Sequence, residues 1–355
     1  MDTKRFIGLA GGIALGGSVC QGAVGVVGGV LEVTTSDVDQ SLIVLVGPTA
    51  GEVRVLGLAG FPGGASYTGL TGIDFTTGLG DDTVIVGVTS DEDFDVRVHT
   101  RAGEADVVVT WFIPPDSTDV MCGIDVLSAK GPDQYTRVEV ETHADNTLID
   151  INTGNSTEVD INVDAPDTAV SLDLAVVARG ALTTVDVVAA ALFMDVALGG
   201  GFRGTDDTAT YTLTQTIPGS MTVDAGMKFW GGDDDVTATI SSTNGTVTLE
   251  GVINASGGDD SVTVDVDASR TMSSLKLKGA GGADELTLLT RGEYKLSSDR
   301  TIILGNSGDD TLMLRSLGGV TGTGEAGTRL PLTNGGPGID LYDAFGAVSN
   351  CESTF

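Results

Sequence analysis

The chain has 355 residues, and its 50 aspartates and glutamates against 18 lysines and arginines give a formal charge of -32. So acidic a surface repels phosphate groups, which argues against nucleic acid as a partner. Hydrophobic residues make up 41%, more than acidic disordered chains contain, while aromatics make up only 5% and glycines number 52. The composition therefore predicts a folded all-β protein built from aliphatic strands and glycine turns.

The N-terminus has the order of a secretory signal. Lys4 and Arg5 precede an apolar run from Phe6 to Val19, and small residues follow around Cys20. This order predicts a signal peptide over residues 1–23 and a secreted or cell-surface protein. Two alternatives stay open, namely a membrane anchor, for which the many glycines are poorly suited, and a lipidated Cys20.

A short phrase, Gly-x-Asp followed by alternating apolar residues, recurs along the chain at intervals of about 25 residues. In one copy, Val262, Val264 and Val266 alternate with polar residues, so one face of the strand is aliphatic. This period predicts a right-handed parallel β-helix over residues 24–345 with terminal caps, followed by a tail over 346–355. A β-sandwich is the alternative, but its strands lack a fixed longer period. The aspartates of the phrase are Asp82, Asp206, Asp234, Asp260, Asp284, Asp310 and Asp340.

Part of the repeat resembles a known calcium-binding motif. The segment GGPGIDLYD at 335–343 matches the nine-residue GGxGxDxUx repeat of RTX-type (haemolysin-type) proteins, and 305–313, 279–287 and 77–85 match it in part. The resemblance implies calcium bound by aspartates and turn carbonyls between successive coils. RTX repeats follow one another every nine residues, however, whereas here the phrase occurs once per coil.

The residues themselves also point to a cation. Stacked coils would bring the corner aspartates within about 4.8 Å of one another, where two carboxylates repel by about 3 to 4 kcal/mol at an effective dielectric of 20. Calcium, which takes oxygen ligands in irregular geometry, would neutralise them. Simple turn formation by Gly and Asp, or adaptation to high salt, would explain the same pattern. The predicted calcium ligands are Asp81, Asp82, Asp206, Asp207, Asp234, Asp235, Asp259, Asp260, Asp284, Asp309, Asp310 and Asp340.

Catalytic motifs are weak. Parallel β-helices include polysaccharide lyases and hydrolases, yet His99 and His143 lack the context that such hydrolases need. A lyase would need a basic residue beside calcium, and several cations are placed to be considered. They are Arg97, Arg101, Lys130, Arg137, Lys276 and Lys278.

Four aromatics, Trp111, Phe112, Phe229 and Trp230, form two adjacent pairs that either stack on carbohydrate or pack in the interior.

The sequence therefore predicts a secreted, acidic, calcium-binding β-solenoid that acts as a cell-surface, matrix or adhesion module. A secreted β-helix lyase that acts on acidic polysaccharide with calcium is the alternative. The expected partners are calcium, extracellular polysaccharide or cell-surface components, and further copies of the chain.

Overall fold

The computed structural model describes residues 22–35, 40–47, 53–56, 65–90, 92–101, 103–114, 117, 119–128, 134–142, 147–202, 206–322, 329–345, 347–349 and 353–354. Within 147–202, the side chains of 154–157 and 166–181 lie outside the description, as does the predicted signal segment up to residue 21.

Every regular element in these ranges is a strand. The first half of the chain contains β1 Gly22–Val27, β2 Val30–Thr35, β3 Gln40–Val46, β4 Val53–Leu56, β5 Ala65–Tyr67, β6 Gly72–Thr76, β7 Asp82–Thr89, β8 Phe94–Thr100, β9 Ala105–Ile113, β10 Met121–Ser128, β11 Gln134–Thr142 and β12 Thr147–Phe202. The second half contains β13 Thr208–Gln215, β14 Ser220–Phe229, β15 Asp235–Asn254, β16 Ser261–Ser273, β17 Lys276–Lys278, β18 Glu285–Thr290, β19 Glu293–Lys295, β20 Ile302–Leu304, β21 Thr311–Ser316, β22 Val320–Thr321, β23 Leu332–Asn334, β24 Leu341–Ala344, β25 Ala347–Ser349 and β26 Ser353–Thr354.

These strands stack in parallel coils about 26 residues apart, which confirms the predicted all-β solenoid. Each coil up to β14 contributes one strand to each of two faces, and from β15 onward a third, short row of strands runs through β16, β19 and β22. Sheet A runs through β7, β9 and β11, and sheet B through β6, β8 and β10. The long strand β12 crosses both faces, because residues 148–154 pair with β10, 158–164 with β11, 182–189 with β13 and 193–202 with β14.

The core is a stack of aliphatic side chains between the two faces. In β16, Val262, Val264 and Val266 are at most 2% exposed, while Ser261 and Thr263 point outward and are partly exposed. The strand period predicted from sequence is therefore confirmed. Alternation along each strand brings the aliphatic positions of successive coils into register, so the core is continuous along the axis.

The ends of the described solenoid differ in construction. At the N-terminal end, β1 pairs antiparallel with β2, and β4 pairs antiparallel with both β3 and β5. At the C-terminal end, β25 and β26 continue the parallel pairing onto β23 and β24. Short stretches of the predicted tail over 346–355 thus pair in the same way as the coils before them.

Among the residues that the structure describes, no helix has the length and apolar character needed to span a membrane.

Candidate functional site

Glycine shapes the corner that leads from sheet B into sheet A. Gly258, Gly282 and Gly308 have φ angles of 127°, 129° and 138°, a region that residues with a Cβ rarely adopt. A Cβ added at Gly258 would also overlap the carbonyl oxygen of Gly232 in the preceding coil. The corner therefore needs glycine both for its backbone conformation and for the close stacking of coils.

Directly after this glycine, two successive positions project side chains that link neighbouring coils. We call the second of these positions the inner ladder. Its aspartates are Asp207, Asp234, Asp260, Asp284, Asp310 and Asp340.

The inner-ladder carboxylates from Asp234 onward each accept a hydrogen bond from the coil before them. The amide of Asp234 donates to Oδ1 of Asp260 at 2.9 Å, and the amide of Asp260 donates to Oδ1 of Asp284 at 3.1 Å. The same bond joins 207 to 234, 284 to 310 and 310 to 340, at 2.8 to 3.0 Å. Five consecutive steps of the solenoid are thus tied by carboxylate-to-amide hydrogen bonds.

The second oxygen of each inner-ladder carboxylate is buried without a hydrogen-bond partner. All six residues are at most 2% exposed, and Oδ2 of each has no partner within the described part of the chain. In Asp284 and Asp310 this oxygen packs against the α-carbons of Gly279 and Gly305, where a Cβ would overlap it. An ionised carboxylate with one oxygen left in this state is costly unless a proton or a cation joins it.

Burial shifts the acid–base behaviour of these groups. Desolvation raises the pKa of Asp234 to about 7 and that of Asp284 to about 7, and the negative charges of neighbouring ladder aspartates add to the rise. Desolvation also raises the pKa of Asp207, Asp260 and Asp310. The hydrogen bonds that the ladder carboxylates accept from backbone amides oppose the shift in Asp234, Asp260, Asp284 and Asp310, but desolvation is the larger effect.

The position before the inner ladder forms a second series, which we call the outer ladder. Its aspartates lean toward the following coil instead. The amide of Asp259 donates to Oδ1 of Asp233 at 2.8 Å, and the amide of Ala283 donates to Oδ1 of Asp259 at 2.7 Å. These side chains are exposed. The outer ladder comprises Asp81, Asp206, Asp233, Asp259 and Asp309.

The structure places two of the predicted ligands outside the buried series. Asp206, predicted as the repeating aspartate of its coil, belongs to the exposed outer ladder, and Asp207 takes the buried position because Thr208 pairs with Asp235. Asp235 itself begins β15 and faces outward, away from both ladders. Asp233, which lies outside the predicted set, is an outer-ladder member, and its position one residue before Asp234 was the signal for it.

In the N-terminal half of the solenoid, residues other than aspartate occupy part of the inner-ladder series. Asp82 is buried at this position, but its register partners in the next two coils are Ala105 and Gln134. The Gln134 side chain donates to the carbonyl of Gly103 and accepts from the Thr100 hydroxyl. The side-chain amide of Gln134 thus forms the hydrogen bonds of the corner there without adding charge. The six consecutive inner-ladder carboxylates belong to the C-terminal half.

The ladders offer only oxygen atoms as ligands, and oxygen is the ligand type that calcium prefers. Within the described ranges, no three side chains of His, Cys, Asp and Glu come together as a metal-binding group. A calcium ion at this corner would therefore need backbone carbonyl oxygens and water in addition to one or two carboxylates. The orphaned Oδ2 atoms are the feature that such an ion would satisfy.

The basic residues considered for a lyase are spread over the solenoid, apart from Lys276 and Lys278, which lie two positions apart on β17. Arg97 lies on sheet B opposite Asp74 and Asp125 in the adjacent strands. Arg137 lies on sheet A and pairs with Glu139 and Asp160. Lys130 and His143 lie outside the described residues.

The aromatic pairs divide between interior and surface. Trp111 and Phe229 are buried, and Phe229 stacks on Phe202 with ring centroids 4.4 Å apart. Trp230 is 49% exposed, and the ammonium of Lys228 lies 3.4 Å from the centroid of its ring. Trp230 is thus the aromatic residue of these four whose side chain is most exposed to solvent.

Comparison of the chain with protein-family models, with curated proteins and with solved structures gives no match. What can be inferred about function therefore comes from the geometry of the corner and of the solenoid faces.

Proposed function

We propose that this protein is a secreted, calcium-binding β-solenoid that acts as a structural or adhesive module at the cell surface or in an extracellular matrix. The observation that carries the proposal is the inner ladder, six buried carboxylates in register. Each has one oxygen without a partner in the described part of the chain, and in five of them the other oxygen is bonded across coils. A regular series of this kind requires positive charge once the carboxylates ionise.

Calcium is the cation that fits this requirement. It accepts carboxylate and carbonyl oxygens at variable coordination number, whereas magnesium demands a near-ideal octahedron and keeps its water. In the proposed protein, the ladder aspartates and the corner carbonyls would hold the ions, and the ions would stiffen the stack of coils. The resemblance of residues 335–343 to an RTX repeat supports the same metal.

A structural role accounts for the rest of the molecule. Arg97 and Arg137, two of the basic residues considered for a lyase, lie on different sheets opposite carboxylates, and the solenoid presents long parallel sheets along its axis. Rods of this kind serve as rigid spacers and display surfaces.

Equilibrium dialysis with radioactive calcium at pH 8 tests the proposal. We expect the wild-type chain to bind several ions, and the triple variant Asp260→Asn, Asp284→Asn and Asp310→Asn to lose more than half of them. Asparagine keeps the oxygen that accepts the cross-coil hydrogen bond and removes only the charge. The control is Asp186→Asn, Asp195→Asn and Asp224→Asn, which removes the same charge from exposed strand positions. Equal loss in both variants would show that calcium binds only diffusely to the acidic surface.

A further inference from the structure

One strip on the surface of this highly acidic solenoid carries lysines and no carboxylate within it. On the C-terminal half of sheet B, two outward rows of residues run along the axis through β14, β15, β17, β20 and β23. We call them the lysine stripe. Its members, in register, are Gly226, Val252, Lys276, Ile302 and Leu332 in one row, and Lys228, Asn254, Lys278, Leu304 and Asn334 in the other.

Lys276 and Lys278 are available for an external partner. Neither Lys276 nor Lys278 forms an ion pair with any residue that the structure describes, and Lys276 is exposed. Lys228 contacts the ring of Trp230, which follows it at the edge of the stripe. By contrast, the arginines at 270, 291 and 315 are each paired with a carboxylate.

The shape of the stripe selects the kind of partner. Five strands at about 4.8 Å and two outward positions about 7 Å apart make a surface roughly 20 Å long and narrow. Asp224 and Glu250 border it on the same outward face. A protein partner needs about 800 Å² on each side for a stable interface, and it would have to cover these carboxylates as well. A single polymer chain that lies along the axis would leave these carboxylates uncovered.

The chemistry of the stripe matches an acidic polysaccharide. Lys228 and Lys278 stand two coils apart in one row, so their ammonium groups can pair with carboxylates repeated along a polymer. Asn254 lies between them and can bond hydroxyl groups. Trp230 is half-exposed with the Lys228 ammonium over its ring, and the part of the indole that faces solvent can pack against the C–H groups of a sugar.

We propose that the lysine stripe is a binding site for a uronic-acid polysaccharide, whose chain lies along the solenoid axis. The inference rests on the proposed function only in placing the protein outside the cell, where such polymers occur. The general repulsion from the acidic surface is limited in reach, because the Debye length at physiological salt is about 8 Å. The local charge of the stripe therefore decides the contact.

Affinity electrophoresis of the full chain in gels that contain polygalacturonate, with dextran as the neutral reference, tests this site. All gels contain chelator, so that calcium cannot bridge protein and polymer and the result does not depend on the corner aspartates. We expect polygalacturonate alone to retard the wild-type chain. Lys276→Gln with Lys278→Gln should weaken the apparent affinity about tenfold and flatten its dependence on salt, because two charge contacts are lost.

The matched control is Lys295→Gln with Arg329→Gln, which removes two positive charges elsewhere and should leave the retardation unchanged. Trp230→Ala should weaken binding without changing the salt dependence. Equal weakening in the control, or no retardation of the wild-type chain, would overturn the proposal. Loss of self-association in the Lys276 and Lys278 variant, measured by sedimentation without any polymer binding, would assign the stripe to a second copy of the chain instead.

Discussion

The carboxyl group of Asp284 joins two coils through one oxygen and leaves the other buried, and burial raises its pKa to about 7. In the unfolded chain the same group titrates near 4. Below pH 4 both states are protonated and folding carries no ionisation cost from this group. Between about pH 4 and 7 the folded state binds more protons than the unfolded state, so stability falls as pH rises.

We therefore expect the melting temperature in chelator to fall from pH 4 to pH 7 and to level off above pH 7. Asp234→Asn with Asp284→Asn should make this dependence less steep, because neither asparagine titrates. The remaining dependence comes from Asp207, Asp260 and Asp310, whose pKa values are also raised. Asp186→Asn with Asp224→Asn serves as the control for general charge repulsion and should keep the wild-type slope. Thermal unfolding followed by circular dichroism in steps of one pH unit measures all three. A wild-type melting temperature that rises toward pH 7 would contradict the raised pKa values of the ladder aspartates.

Gly258 and its neighbour Gly257 provide a matched pair for the corner. Gly258 has a φ angle of 127° and stacks on the carbonyl of Gly232, whereas a Cβ at Gly257 would meet nothing within 4 Å. Gly258→Ala should lower the free energy of unfolding by about 2 kcal/mol or more through strain and the forced separation of coils. Gly257→Ala should change it by less than about 0.5 kcal/mol. Urea unfolding compares them, and similar losses would mean that the corner is not held by close stacking.

The strand β16 tests the division between interior and surface. Val262 is buried and Thr263 points outward on the same strand. Val262→Asp places an unpaired charge in the aliphatic stack and should cost several kcal/mol, enough to disrupt the local coils. Thr263→Asp should leave the structure folded. Limited proteolysis and urea unfolding report the difference, and an equal response of the two variants would show that the register is wrong.

Sequence reasoning succeeded for elements whose residues alternate regularly. The valines of β16 and the recurring Gly-Asp phrase are local patterns, and they were enough to predict strands, period and solenoid. It failed by one residue at Asp206, because the sequence there reads Gly-Thr-Asp-Asp, with one more residue before the second aspartate than in the other copies. Only pairing between coils fixes which aspartate turns inward. The opposite lean of the two ladders also depends on neighbouring coils, and the phrase itself does not contain it.

The lysine stripe likewise depends on the stacking of coils and could not be predicted from the sequence alone. Lys276 and Lys278 alternate visibly in the sequence, but Lys228 lies about 50 residues away and joins them only because β14, β15 and β17 stack. The contrast between this face and its acidic surroundings exists only in the folded solenoid.

Taken as a whole, the molecule combines a charge of -32 with a corner of buried carboxylates, and two kinds of cation effect follow. Salt in general screens the surface charges, which are separated by solvent. A specific ion would act on the ladder and stabilise only the folded state, by about 2.7 kcal/mol per site at a hundredfold excess over Kd. General screening by salt and specific binding of an ion differ in the cation concentration that they require.

Thermal unfolding of the chain at pH 8 in chelator, in millimolar calcium chloride and in sodium chloride of matched ionic strength tests the central claim most directly. The account predicts a marked rise in melting temperature with calcium alone, and a much smaller rise in the Asp260→Asn, Asp284→Asn and Asp310→Asn variant. A calcium effect no larger than that of sodium chloride, or one that survives in this variant, would contradict a calcium-binding ladder.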